Sequence, residues 1–419
     1  MAKPKLALIP ATQGSKLYSV LPADGVGDFN FSRNTVATRI NKDGLIETVA
    51  VGKSRLNYPL IDGVVNGCPS HLLEPSRTNL ITYSNNFDGT NMINSAIITE
   101  FNTTETLSPE GINNASKLTA NSAFQRYSFF PTAGDNVDVS CSVFAKKGSA
   151  SIFSTLIIDK SGQPISTKFD LLNGVIVEGG GSIEDYGNGW YKCSFSGSTS
   201  SGATALQIRP FSHGSGFENG WTGSNYIYGF GASLEQGSYA TSYIPTSGST
   251  VTRSAETANG AGDASTFNDS EGVLMAEISA LTNSGGKWIS LSNGSTSQRI
   301  SFANENGNIR VYIFNGVVIW DYIYYNINTI TSNKISLKYK SGDYSLFING
   351  FKINTSTSSL VASGIDSLQF NSGGGSGNFE GNTKQIQYFD TALNDSDLET
   401  ITSWTSFTDM ANGQTYSIK

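Results

Sequence analysis

"NKISLKYKSGDYSLFINGFKI", residues 333–353, decides the fold class. Apolar and polar residues alternate up to Ser341-Gly342, resume, and break again at Asn349-Gly350, which is strand periodicity interrupted by two hairpin signals. Two-residue loops at these points set Tyr339 opposite Tyr344 and Lys340 opposite Asp343, and they line up Leu337, Leu346 and Ile353 on one face. Facing rings and opposed charges both favour that register. The stretch reads as an antiparallel meander.

The same alternation of short strands and turns extends outward in both directions. "NVDVSCSVFAKKGS", "STKFDLLNGVIVE", "GNGWYKCSFSGS" and "SNYIYGFGASLEQ" are strand runs bounded by Gly, Asn and Ser. The 419 residues are only 15% charged, 11% aromatic, and include 45 glycines, a composition that fits all-β structure and argues against disorder. One helix is expected near the end, where Ser396-x-x-Glu399 offers a capping box. Residues 246–270 are poor in large apolar side chains and read as containing a linker. The expected organisation is all-β: a small N-terminal β-rich module over 1–80, a jelly-roll sandwich over 81–250, a linker over 251–270 and a second antiparallel sandwich over 271–419.

The net charge of -7 and the scattered Lys and Arg form no basic patch, so nucleic acid is not an expected partner. No apolar run reaches the length of a membrane span, and the start "MAKPKLALIPATQ" lacks a signal-peptide core. The three cysteines form no disulfide framework. Cys141 shares a strand face with Val137, Val139 and Val143, and Cys193 with Tyr191 and Phe195; both read as small core side chains. His71 and His213 have no ligand-like spacing to them, so no metal or nucleophilic site is expected.

Several phrases resemble bacteriophage virion proteins. "FSRNTVATRINKDGLIETV" (31–49), "SRLNYPL" (54–60) and "LLEPSRTNLITYSNNF" (72–87), after "KLYSVLPADGVGDFNFSR" (16–33), are similar to a module of that group. "FDLLNGVIVE", "GNGWYKCSFSGS" and "GFGASLEQGSYATSYIPTSGSTVTRSAE" (229–256) resemble phage tail and fibre proteins and carbohydrate-binding-module-like jelly rolls. "YSLFINGFKI" and "IQYFDTALNDSDLETI" resemble concanavalin A-like (laminin-G-like) sandwiches, a fold that serves enzymes, lectins and structural modules alike. The resemblance implies a structural virion component, of tail, fibre or head decoration, assembled in a host cytoplasm with other virion proteins. It also implies a homo-oligomer, with a trimer among the states allowed, and a virion-anchoring role for residues 1–80. The alternative is a carbohydrate-binding receptor-recognition protein that adsorbs the phage to host surface glycans.

Arg33, Arg39, Arg55 and Arg77 lie in turn-rich stretches, where a guanidinium can bind several carbonyls at once. They read as an inter-module clamp, with an anionic ligand as the other reading. Hydrolases of concanavalin-like fold place carboxylates as Glu-x-Asp-x-x-Glu, and no Glu here is followed two positions later by Asp. No enzymatic activity, catalytic residue or cofactor is expected. Calcium is left open at 85–91 and 394–399, neither of which has EF-hand spacing.

The remaining signal is "NIRVYIFNGVVIWDYIYY" (308–325). A two-residue Asn315-Gly316 turn sets Tyr312 opposite Ile319 and Arg310 opposite Asp321, leaving both strand faces largely apolar. A sandwich strand normally shows one face to water. Tyr312, Phe314 and Ile319 are therefore the candidates for a subunit interface or a carbohydrate site.

Overall fold

A computed structural model describes residues 3–13, 16–22, 24–85, 87, 92–95, 97–120, 126–129, 133–159, 164–199, 203–209, 224–405 and 407–414. His213 lies outside them. The meander forms in the expected register: Leu337 pairs with Leu346, and Asp343 N donates to Lys340 O at 2.8 Å. At the second turn Asn349 and Gly350 both take positive φ, 50° and 86°, which Asn and Gly tolerate and a β-branched residue does not. A bulge beyond Phe347 then pairs Leu346 with Asn354, so Ile353 sits one place off its expected partner and is half-buried.

The described residues are all-β apart from two short helices near the end of the chain, Asp395–Ser403 and Phe407–Gly413, and their strands form two antiparallel sandwiches. The first pairs two six-stranded sheets. Val137–Lys147 and Tyr226–Gln236 are the central strands of one of them, and Cys141, Cys193, Val139, Val143 and Phe195 point into the core between the sheets. The second packs a nine-stranded sheet on a seven-stranded one. In the seven-stranded sheet Gly286–Ser292, Gln298–Glu305, Asn308–Asn315 and Val318–Tyr324 follow one another to the edge, with Ile289, Ile300, Phe302, Val311 and Ile313 on the buried face.

The pairings differ from the expected boundaries. Leu6–Gln13 and Ser70–Leu73 both pair with Gly381–Phe389, and Asn30–Ser32 pairs with Thr257–Ala261. The N-terminal segment thus supplies strands to the C-terminal sandwich, and the jelly roll is an insertion in that sandwich. Residues 251–270 are no loose linker, because Val251–Arg253 pairs with Arg77–Asn79 and Thr257–Ala261 is an inner strand. A stretch of small residues can be a strand where neighbours crowd it, and local composition does not reveal that crowding.

The helix at the end also starts earlier than expected. Its N-cap is Asn394, whose side chain accepts from Asp397 N at 2.9 Å, in place of the Ser396–Glu399 box. Leu398 and Ile401 bury its apolar face on Val273, Met275, Phe347 and Phe389.

Candidate functional site

Two groups of arginines stand out, one closed and one open. The closed group sits where the two sandwiches meet. Arg33 Nη1 donates to Glu256 at 2.7 Å, and its other nitrogens donate to Thr35 O, Val49 O and Ala50 O. Arg55 bonds both Glu74 and Glu256, together with Thr38 O and the Ser242 hydroxyl. Arg253 reaches Glu74 at 2.8 Å and Pro75 O at 2.8 Å. The Glu74 and Glu256 backbones also bond each other, with Glu256 N donating to Glu74 O at 3.0 Å.

Each of these five side chains is almost wholly buried. Burial alone would raise the Glu74 carboxyl, but the Arg253 and Arg55 charges and the Ser242 hydrogen bonds hold it well below the usual carboxylate range. His71 lies under this cluster between the Phe31 and Phe370 rings, with neither ring nitrogen partnered. Burial pulls it down to about 4.

Of the four sequence-selected arginines, Arg33 and Arg55 enter this cluster. Arg39 pairs with Glu47 inside its own hairpin, and Arg77 lies over the Tyr239 ring. Arg253, Glu74 and Glu256 carried no local signal; the Glu256 partners Arg33 and Arg55 lie 223 and 201 positions away in sequence.

The open group occupies the outer face of the seven-stranded sheet. Strand register sets three rows across it: Trp288, Ala303, Arg310 and Ile323; Ser290, Ser301, Tyr312 and Asp321; Ser292, Arg299, Phe314 and Val318. The Trp288 and Tyr312 rings meet edge to face at 6.3 Å, and Phe314 stacks beside Tyr312 at 5.9 Å and 18°. Ser290, Ser301 and Ala303 are small and buried, so they form a floor from which the rings rise.

Arg310 is fully engaged, with two 2.8 Å bonds to Asp321 and one to Glu305; the Asp321 bonds chiefly, against burial, hold its guanidinium above its usual value. Arg299 is different. Its guanidinium lies 4.6 Å from the Tyr312 ring centre and 5.1 Å from that of Trp288, Nη1 donates to Ser372 O, and Nε has no partner. Among the described residues no carboxylate pairs with it. The Gly-rich turn over 371–377 forms one wall, and Trp288 N donates to Gly377 O at 2.9 Å. A side chain at residue 377 would strike the indole at 2.6 Å.

The hairpin register departs from the expected one. Tyr312 faces Asp321 and Arg310 faces Ile323, because the loop runs over Asn315–Val317 and Ile319 is an extra residue between the Ile313–Trp320 and Phe314–Val318 pairs. Asn315 Nδ2, held by Val361 O at 2.6 Å, fixes the wider loop. The bulge turns Ile319 into the core, 7% exposed, so Ile319 is withdrawn as a surface candidate. Tyr312 and Phe314 stay on the open face, which Arg299, Arg310 and Asp321 make mixed rather than apolar.

Among the described residues no three His, Cys, Asp or Glu side chains are grouped to hold a metal ion, and no helix is long and apolar enough to cross a membrane. The 85–91 loop lies partly outside the described residues. At 394–399 the acidic groups serve the helix start, where Asp395 pairs with Lys352 and Asp397 is capped.

No family model matches the chain, and no curated protein matches it. Solved structures similar to parts of it include the CBM40 domain of a Ruminococcus gnavus sialidase bound to alpha2,3 sialyllactose, 18% identical, covering 33% of this chain and 84% of that one with a TM-score of 0.28. Domain 4 of a GH43 arabinanase from Geobacillus stearothermophilus, in complex with arabinotriose, is 12% identical over 36% of this chain and 73% of its own, with a TM-score of 0.31. The receptor-binding domain of a botulinum neurotoxin mosaic serotype C/D is 15% identical over 35% of this chain and 39% of its own, with a TM-score of 0.27. At such identities and scores these likenesses carry no weight for what this chain binds.

Proposed function

We propose that the protein binds carbohydrate through the Trp288, Tyr312 and Phe314 face of the seven-stranded sheet. The observation that carries this reading is the row of three rings beside Arg299, a guanidinium without a carboxylate partner. A saccharide ring has apolar C–H faces that pack on aromatic rings and hydroxyls at its rim that accept from a guanidinium, the mixture of apolar wall and few polar groups typical of ligand sites. Trp288 and Phe314 supply the wall, and Arg299 supplies donors. The nearby carboxylates, Glu305 and Asp321, both accept hydrogen bonds from Arg310, which fits binding better than turnover.

The setting that the sequence resemblance supports is a virion component that displays this face to host surface glycans, with the buried Arg–Glu cluster joining its two sandwiches. The test is retention of the full chain on a glycan array that includes host capsule and cell-wall polysaccharides. Trp288→Ala and Arg299→Gln should each lower retention severalfold while leaving the circular dichroism unchanged. Undiminished retention by both variants would refute the reading, and a change of oligomeric state in place of a binding loss would make the face a subunit contact.

A further inference from the structure

A cavity of about 500 Å³ opens where the two sandwiches meet, and a second of about 640 Å³ adjoins it, sharing Asn57, Glu184, Tyr186 and Asn382 as lining. Ser182–Asp185 and Trp190–Thr199 pair so that Glu184 faces Lys192 and Ser182 faces Ser194, and these residues line the first cavity from the jelly-roll side. Asn382 lines it from the other sandwich, and Asn57 from the N-terminal segment.

Polar groups here are left over. Lys192 is only 6% exposed, yet its ammonium makes one hydrogen bond, to Thr241 O at 2.9 Å, and among the described residues no carboxylate lies within ion-pair distance of it. A buried ammonium with two unused N–H groups is costly unless something completes its shell. Ser194 is 7% exposed, and its unpartnered hydroxyl oxygen is covered by its neighbours and closed off from the cavity. Asn382 Oδ1 accepts from Ser70 and Asn57 Oδ1 from Ile40 N, which leaves both side-chain NH₂ groups without a partner among the described residues. Tyr186 meets Phe144 edge to face at 4.9 Å. Burial would lower the Lys192 ammonium, but Tyr186, Glu184, Glu235 and Glu74 outweigh it and keep the group charged. Those same acidic groups disfavour an anion, and the ammonium disfavours a metal ion.

We infer that this cleft is a second binding site, for a short neutral saccharide whose hydroxyls bond Lys192, Asn57 and Asn382. Hydroxyls both donate and accept, as the mixture of Lys, Asn, Ser and Glu184 requires. The volume falls within the roughly 300–1,000 Å³ of small-molecule sites. Because Lys192 and Asn382 belong to different sandwiches, an occupant would bridge them.

The experiment uses the full chain carrying Trp288→Ala and Tyr312→Ala, so that success or failure of the outer face does not enter. Saturation-transfer NMR is recorded with lactose, maltose and cellobiose, and with sulfate as the anion control. At least one disaccharide should receive saturation. Asn382→Ala should weaken it about fivefold, the equivalent of one hydrogen bond, and Lys192→Met at least tenfold. Asn382→Ala gives up one side-chain hydrogen bond, from Ser70, so it keeps the test valid if Lys192→Met fails to fold. No saturation of any disaccharide, binding untouched by Asn382→Ala, or competition by sulfate would each overturn the inference.

Discussion

Arg33, Arg55 and Arg253 meet Glu74 and Glu256 with almost no edge in water, whereas on an open sheet face Arg310 meets Glu305 and Asp321 and Arg299 lies over the Tyr312 and Trp288 rings with no carboxylate. The residue types are the same; the surroundings differ. In the buried cluster all four carboxylate oxygens accept hydrogen bonds from several directions, because an unsatisfied charge there is expensive. On the sheet face one guanidinium stands over two aromatic rings without a counter-charge. Burial converts arginine–carboxylate chemistry into a joint between strands distant in sequence, and exposure leaves it available to a ligand.

The largest effect should come from breaking the joint. Glu256→Gln leaves Arg33 and Arg55 short of a counter-charge in the interior, and chemical denaturation should show a loss of about 3–5 kcal/mol, with no specific effect on the outer face. A loss below about 1 kcal/mol, the range of an exposed pair, would put the two clusters in one class.

Acid should act next. His71 is neutral in the folded chain down to about 4, while the unfolded chain takes up a proton near the ordinary 6.5. The unfolded state then binds more protons between those values, so stability is complete above 6.5 and falls as pH drops towards 4, by about 3 kcal/mol in all. Glu74, with its folded value depressed, adds a further loss only below about 4.5, where unfolded carboxylates protonate. Denaturation of His71→Leu across pH 7 to 4.5 should therefore be nearly flat where the parent slopes; an unchanged slope would assign it to other groups.

Both regions were partly legible in the sequence, for opposite reasons. Turn-rich context pointed to Arg33 and Arg55, but Arg253 and Glu256 lay in a stretch of small residues that reads as a linker, and nothing local reveals partners brought together by an inserted domain. On the sheet, period-2 alternation placed Tyr312 and Phe314 on the open face. Trp288 and Arg299 come from two other strands whose adjacency is topology, and the bulge at Ile319 reversed one residue's face without any Gly or Pro to announce it. The meander at 333–353 was readable because its turn residues and its facing tyrosines agree.

The smallest effect should be at Arg39, chosen on the same sequence grounds as Arg33 but half-exposed beside Glu47. Arg39→Ala should cost under about 1 kcal/mol in the melting transition. A cost near that of Glu256→Gln would mean that the hairpin at 37–49 is part of the joint.

The contrast between joint and platform is tested most directly by measuring glycan-array retention and thermal midpoint together for the parent chain and for Trp288→Ala, Phe314→Ala. Two rings removed from the outer face should lower retention at least tenfold, about 1.4 kcal/mol, with the midpoint nearly unmoved. Full retention in that variant, or a collapse of the midpoint with retention per folded molecule intact, would contradict the account.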